Sequence, residues 1–334
     1  MSLTRLLIFE TSYDRIKAEL AAHAASLTPL ILGANGEIRH AGALLSPEEA
    51  CPDIAWASGD MFESKVARDF LSATMKSPNL QWVQSGAAGF DHPLFAQIVS
   101  KGARLTTSHG QSVGMADYVV AGVLDHFQRG PERRAAQSNH TWGRLPFREV
   151  LGSTWLLVGF GAIGQEVARR ARGFGAHVIG VRRDVSPHPL ADRVERLDAL
   201  PSLLPEADVV VLCAPANAAT HHLANKDFFV AMKPGAVLVN VGRGALVDET
   251  ALLDALETGK PAHAVLDVFE NEPLPDASPL WDHPRVSLTS HNSGDTSGQH
   301  FRNQMLFLEN LGRFLANQPL IGEVSADEVL DRRA

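Results

Sequence analysis

Two sets of residues in this chain have types and spacings that could do chemistry. The first is Gly159-Phe160-Gly161-Ala162-Ile163-Gly164, which fits G-x-G-x-x-G. By itself such a run is often only a glycine-rich turn. Here an apolar run, Trp155 to Val158, precedes it, and Ile163, Val167, Ala171 and Phe174 follow at the steps of one buried helix face. Gly175 stops that helix, and His177–Val181 resumes extended structure. A strand, a glycine turn, a helix and a second strand form the setting in which the motif binds a dinucleotide. The glycines would supply a tight turn, close approach of backbone to pyrophosphate, and close packing of helix on strand. The helix start adds N–H groups and a positive dipole end for the phosphates.

The second set is Arg243, Glu272 and His291. Arg243 lies in Asn240-Val241-Gly242-Arg243-Gly244, Glu272 in Asp267-Val268-Phe269-Glu270-Asn271-Glu272-Pro273, and His291 in Thr289-Ser290-His291-Asn292-Ser293-Gly294. Each stands at or beyond the carboxyl end of a candidate strand, and in a parallel sheet those ends converge on the crevice that holds the cofactor. Taken singly, they read as a solvated loop charge, a turn residue and a structural histidine. Together, within a nucleotide-binding pattern, they supply a fixed planar cation, a carboxylate and a group that changes charge near neutrality. Those are the groups needed to grip an anion and move a proton.

The elements that must position these residues alternate between strand and helix. Candidate strands lie at 6–9, 30–32, 54–57, 80–84 and 104–107, with helices over 13–25 and 113–126. The strand at 80–84 ends in Ser85-Gly86-Ala87-Ala88-Gly89-Phe90-Asp91, a small-residue loop where open α/β sheets place ligands. Gly130 to Phe147 is polar and turn-rich, yet its Trp142 and Phe147 suggest packing, so it reads as an inter-subunit arm. Six further strands follow, at 154–158, 177–181, 208–212, 236–240, 263–267 and 286–289, with a helix at 250–257. Their near-continuous Val and Leu runs imply a parallel, doubly wound sheet buried on both faces. A final helix over 296–316 is too long for a local connector and is expected to cross back to the N-terminal unit.

At 334 residues the chain exceeds one typical core, so two domains are expected. A net charge of −8 and a pI near 5.9 argue against a nucleic-acid-binding surface. Mean hydropathy is −0.04, no stretch approaches a membrane span, and Met1–Arg5 runs into strand without a secretory segment. A cytoplasmic enzyme is the expectation. Cys51 and Cys213 match no metal spacing and read as buried thiols in a reducing compartment, with no metal site.

These motifs resemble the D-isomer-specific 2-hydroxyacid dehydrogenases, over almost the whole chain. The resemblance rests on Gly159–Gly164, on Val241-Gly242-Arg243-Gly244, on Leu266 to Pro273, and on Thr289-x-His291. The intervals of 29 residues from Arg243 to Glu272 and 19 from Glu272 to His291 also suit that family. Ser290 stands where the family usually has proline. The resemblance implies two Rossmann-like or flavodoxin-like doubly wound parallel-sheet domains with a cleft between them. A substrate-binding domain of 1–110 plus 292–334 would flank a dinucleotide-binding domain of 111–291.

It further implies that Arg243 binds a substrate carboxylate, that His291 is the general acid, and that Glu272 fixes and charges the imidazole. Backbone N–H groups around Ala87, Ala88 and Gly89 would hold the same carboxylate. Asp267 resembles the position that bonds the nicotinamide carboxamide. Pro215, Asn217, Thr220 and Val241 would line the cofactor site. A homodimer acting on a small 2-oxo or 2-hydroxy acid is expected, with Phe90, Trp82, His109 and Trp142 as possible pocket contributors.

An acid at the end of the second strand would bond the ribose 2′-OH of NAD, but Arg182 and Arg183 stand there. Paired arginines suit a 2′-phosphate, so NADP(H) is expected over NAD(H). Two other readings stay open. One is a non-catalytic nicotinamide-nucleotide sensor, which would not need a general acid. The other is a formate dehydrogenase-like member, which would carry glutamine where Glu272 stands.

Overall fold

The computed structural model describes residues 3–90 and 93–330. Asp91, the end of the small-residue loop read from sequence, therefore lies outside the described residues. The chain divides into two compact units, residues 1–111 with 297–334 and residues 112–296.

In the first unit the chain runs β1 (Thr4–Phe9), α1 (Glu10–Ala21), β2 (Leu27–Leu32), β3 (Ile38–His40), β4 (Ala43–Leu45) and β5 (Ile54–Ala57). It continues through α2 (Ala67–Lys76), β6 (Trp82–Ser85), α3 (Pro93–Ser100) and β7 (Arg104–Thr106). The second unit holds α4 (Ser112–Phe127), α5 (Gly130–Ser138), β8 (Thr154–Val158), α6 (Ala162–Gly173), β9 (His177–Val181), β10 (Arg193–Glu195) and β11 (Val209–Leu212). After these come β12 (Val237–Asn240), α7 (Glu249–Thr258), β13 (His263–Leu266) and β14 (Val286–Leu288). The chain then returns to the first unit with α8 (Gln299–Leu315) and β15 (Glu323–Val324).

The first sheet has the order β15-β7-β6-β5-β1-β2-β3-β4. Its parallel part, β7-β6-β5-β1-β2, is the flavodoxin-like order, with antiparallel additions at both edges. The helix read over 296–316 is α8, and it covers one face of this sheet. Phe307 and Leu311 are fully buried with Leu6, Ile8, Trp56 and Trp82. The Phe307 ring stacks on Trp56 with centroids 4.3 Å apart. Trp82 is thus a core residue, its Nε1 donating to Thr106 Oγ1 at 2.8 Å, and not a pocket wall.

The second sheet is wholly parallel, β10-β9-β8-β11-β12-β13-β14, the doubly wound order extended by one strand. Both faces are buried, as the Val and Leu runs imply. Leu156, Val158, Val210, Leu212 and Leu238 face one core, and Trp155, Leu157, Val209, Val211 and Val239 face the other. Strand order reverses between β9-β8 and β11, which puts the glycine turn after β8 at the switch point.

Four local readings change. β10 joins the six expected strands; as Arg-Val-Glu it carries little apolar signal. Gly130–Ser138 is helix α5, begun by Pro131 in its first turn, where sequence suggested turns. On α6 the buried face is Gly164, Val167, Ala168 and Ala171, while Phe174 is exposed. Cys51 is half-buried, whereas Cys213, also partly exposed as a residue, keeps its thiol buried.

Candidate active site

Each glycine of the turn has a separate steric reason. Gly159 has φ +101°, and a Cβ there would lie 2.4 Å from the backbone N of Ala214. At Gly164 a Cβ would meet Gly159 O at 2.5 Å, so the third glycine lets α6 close onto β8. At Gly161, the N-cap of α6, a Cβ would meet nothing within 4 Å. The space beside that backbone is open, as a cradle for a pyrophosphate requires. Cys213 backs the turn, its Sγ directed onto Gly159 O at 3.0 Å, and burial pushes the thiol up to about 12.

At the end of β9, Arg182 reaches the carbonyls of Asp184 (2.5 Å) and Ser186 (2.9 Å), and Arg183 is exposed. Across the switch point, Thr220 is buried. Its Oγ1 donates to Pro215 O at 2.8 Å and accepts from Asn217 N at 2.9 Å. Thr220 thus latches the loop that presents Pro215 and Asn217, both exposed, and Val241 is buried beneath the next turn.

That next turn carries Arg243. Fully buried Asn240 shapes it, accepting from Gly242 N at 3.1 Å and donating to Arg243 O at 3.0 Å. Gly244 seats it: a Cβ there would lie 1.8 Å from Phe269 O. Only glycine lets the arginine turn press against the segment leading to Glu272. The Arg243 guanidinium donates to Gly242 O at 2.8 Å.

Glu272 and His291 meet directly, His291 Nδ1 lying 2.7 Å from Glu272 Oε2. The other carboxylate oxygen accepts from Phe269 N at 2.9 Å, so the glutamate is oriented before the imidazole arrives. The histidine side chain is half exposed, and its backbone sits at φ +52°. A non-glycine residue holds that region only where its surroundings over-determine it.

Asp267 supplies much of that determination. It is 1% exposed, and its carboxylate accepts from Thr289 Oγ1 (2.6 Å), Asn292 N (2.9 Å), Ser293 N (3.1 Å) and Ser293 Oγ (2.5 Å). Its carbonyl accepts from His291 N at 2.8 Å. Sequence reasoning gave Asp267 a cofactor role and not this one, and assigned nothing to Asn240 or Tyr118. Gly244 stood in the motif, but its contact with Phe269 was not foreseen.

In the first unit, the loop after β6 is half-buried beyond Gly86. Gly86 N donates to Ala57 O at 2.7 Å, and Ala87 N to Ser85 Oγ at 3.1 Å. Asn303 of α8 holds it from behind, donating to Gly86 O at 3.2 Å. Ala88 and Gly89 continue the loop.

The fold and the turn geometry define a dinucleotide-binding α/β protein whose second unit pairs an imidazole with a carboxylate at strand ends. Residues 120–293, more than half of the chain, match the family model described as D-isomer specific 2-hydroxyacid dehydrogenase, NAD binding domain. The chain belongs to that family, and its cofactor is a nicotinamide nucleotide.

A solved D-isomer specific 2-hydroxyacid dehydrogenase family protein from Aeromonas salmonicida subsp. salmonicida A449 is 33% identical. The match covers 98% of this chain and 100% of that one, with a TM-score of 0.79. A D-isomer specific 2-hydroxyacid dehydrogenase from Xanthobacter autotrophicus Py2, solved in complex with NADPH and MES, is 27% identical over 98% and 100% of the two chains, with a TM-score of 0.76. A glyoxylate reductase from Thermococcus gammatolerans is 34% identical over 250 residues, 71% of this chain and 74% of the relative. The chain spans only 42% to 48% of the length of the D-3-phosphoglycerate dehydrogenases that it matches. Among the described residues no helix is long and apolar enough to cross a membrane.

Proposed function

We propose that the protein reduces a small 2-oxo acid of the glyoxylate or hydroxypyruvate kind to the D-2-hydroxy acid, with NADPH preferred over NADH. The observation that carries this reading is the 2.7 Å contact of His291 with Glu272, the glutamate's second oxygen being held by Phe269 N. A nicotinamide held beside Pro215 and Asn217 would supply the hydride for the carbonyl carbon.

His291, through its other ring nitrogen, gives the matching proton to the carbonyl oxygen, so the ketone becomes an alcohol and the imidazole is left neutral. Glu272 accepts the Nδ1 proton, which fixes the ring's orientation and leaves the other nitrogen facing outward as the proton donor. Arg243 grips the substrate carboxylate through its planar fork and polarises the adjacent carbonyl. Gly86 and Ala87 use their N–H groups within the loop, so Ala87, one of the donors expected for the carboxylate, is already engaged. Exposed Pro215 and Asn217 would line the nicotinamide end, with Val241 packed in the core beneath, and Gly161 with the first turn of α6 would receive the pyrophosphate.

Arg182 and Arg183 at the end of β9 support the NADP(H) preference, as does the NADPH in the Xanthobacter relative's structure. Each charge-assisted bond to a 2′-phosphate contributes roughly 1.5–3 kcal/mol, about a 10–100-fold preference. The protein also pairs with a second copy through the arm that follows α4. The test is steady-state loss of absorbance with both cofactors over a panel of 2-oxo acids. Turnover with glyoxylate or hydroxypyruvate and a higher kcat/KM for NADPH are expected. Cofactor binding without turnover on any of the panel would overturn the catalytic reading, and a clear NADH preference would overturn the assignment of the arginines.

A further inference from the structure

The loop bearing His291 is held from a third direction, by the helix that opens the second unit. Tyr118, on α4, has its hydroxyl oxygen 2.9 Å from Thr289 Oγ1 and 3.2 Å from Leu266 O. Thr289 Oγ1 is in turn 2.6 Å from Asp267 Oδ1. The direction of this chain follows from proton counting. A carboxylate only accepts, and threonine has one hydroxyl proton. That proton goes to Asp267, so the phenol's single proton is shared between Thr289 Oγ1 at 2.9 Å and Leu266 O at 3.2 Å. Burial pushes the Tyr118 hydroxyl up to about 12, which keeps it a donor throughout any ordinary assay pH.

We propose that Tyr118 is a positioning residue for the proton-donating histidine: its hydroxyl, acting through Thr289 and Asp267, fixes the loop that carries His291. The inference rests on the reading of His291 as general acid. The anchors on this loop are consecutive. Thr289 N is tied to Leu266 O at 2.9 Å, His291 N to Asp267 O at 2.8 Å, and Asn292 N and Ser293 N to the Asp267 carboxylate at 2.9 and 3.1 Å. The φ of +52° at His291 lies in the middle of that run. Tyr118 sets the rotamer of Thr289, Thr289 directs one oxygen of Asp267, and that oxygen also receives the two N–H groups on the far side of His291. Losing the phenol proton donor frees the first link. The imidazole then samples orientations in which its proton misses the substrate oxygen.

Tyr118→Phe removes the hydroxyl and leaves the ring. It is expected to lower reductive kcat about 3–10-fold, the effect of one neutral hydrogen bond, with KM for both cofactor and 2-oxo acid within about twofold of wild type. Thr289→Val should cost more, about 10–100-fold, because it also strips a donor from a buried carboxylate. The double variant should match Thr289→Val alone when the Thr289 contact of Tyr118, and not its contact with Leu266 O, carries the effect.

A second readout does not depend on turnover. The His291 imidazole carbon–proton signal, assigned by its absence in His291→Ala, should shift at fixed pH in Tyr118→Phe, while the signal of exposed His140 stays in place. An unmoved His291 signal would sink the proposal, as would losses that multiply in the double variant. If the wild-type protein reduces no 2-oxo acid, the proposed function falls, and the imidazole signal still decides whether Tyr118 governs His291.

Discussion

The His291 ring is oriented by Glu272 and its backbone by Asp267, the two restraints that the proposed role of proton donor requires. General acid catalysis contributes on the order of 10²–10⁴ in rate, so His291→Ala is expected to lower reductive kcat by at least about 10²-fold. Near-wild-type turnover in a folded His291→Ala protein would refute the assignment. Glu272→Gln keeps the shape but removes the carboxylate that receives the Nδ1 proton of the ring. Its reductive kcat should fall about 10-fold or more, the effect of one charge-assisted hydrogen bond, and an unchanged kcat with chemistry rate-limiting would separate the pair. Arg243, Glu272 and His291 stood out in the sequence because charged side chains past strand ends contrast with Val and Leu runs, and the structure brings the last two into contact. Tyr118 and Asn240 did not stand out. Their roles are hydrogen bonds across the fold, and a polar residue in an apolar helix or strand looks the same with or without a partner.

Elements were legible in proportion to their burial. β8, β9, β11, β12 and β13 are buried on both faces and have the composition such strands need, whereas β10 and the β3–β4 hairpin lie at sheet edges and carry weak signals. β13 holds an exception to its apolar run, His263, 7% exposed and with Nε2 2.9 Å from Ser287 Oγ on β14. Its ring stacks on His126 of α4 at 4.6 Å, with Asp125, Glu132, Arg148 and His283 as the nearby charged or titratable groups. Burial holds His263 down to about 4, with the neighbouring His126 adding to the shift.

The folded state thus keeps His263 neutral where the unfolded chain, with an ordinary value of 6.5, takes up a proton. Its contribution is fully present above pH 6.5 and is lost as pH falls toward about 4, at most about 3 kcal/mol. His263→Gln removes the titration and retains a donor for Ser287. Its urea midpoint should fall less between pH 7 and pH 5 than that of the wild type. Parallel declines would show that the acid sensitivity lies elsewhere.

At the scale of the whole molecule, two kinds of doubly wound sheet share one chain, and only part of the surface is explained by either. The segment after α4 was read from its aromatic residues as an arm between subunits, although its helix α5 escaped notice because Gly-Pro resembles a turn as much as a helix start. Polar α5 is held by surface ion pairs, Arg134 to Asp125 at 2.7 Å and Arg129 to Glu132 at 3.2 Å. Beyond it Trp142 is fully exposed, Leu151 is 70% exposed and Phe147 52%, the last beneath the Arg133 guanidinium. A soluble chain rarely presents such large apolar side chains along one short stretch unless a partner covers them.

Burying one tryptophan removes about 150–250 Å² from water, roughly 4–6 kcal/mol before the costs of association, and a twofold pairing counts it twice. Light scattering on the purified protein should give a mass twice that of the 36.0 kDa chain. Trp142→Asp combined with Phe147→Asp should return the protein to a single chain at micromolar concentration, with its circular dichroism unchanged. A wild-type protein of single-chain mass, or a double variant that still pairs, would remove the arm from the interface and leave its tryptophan without a partner.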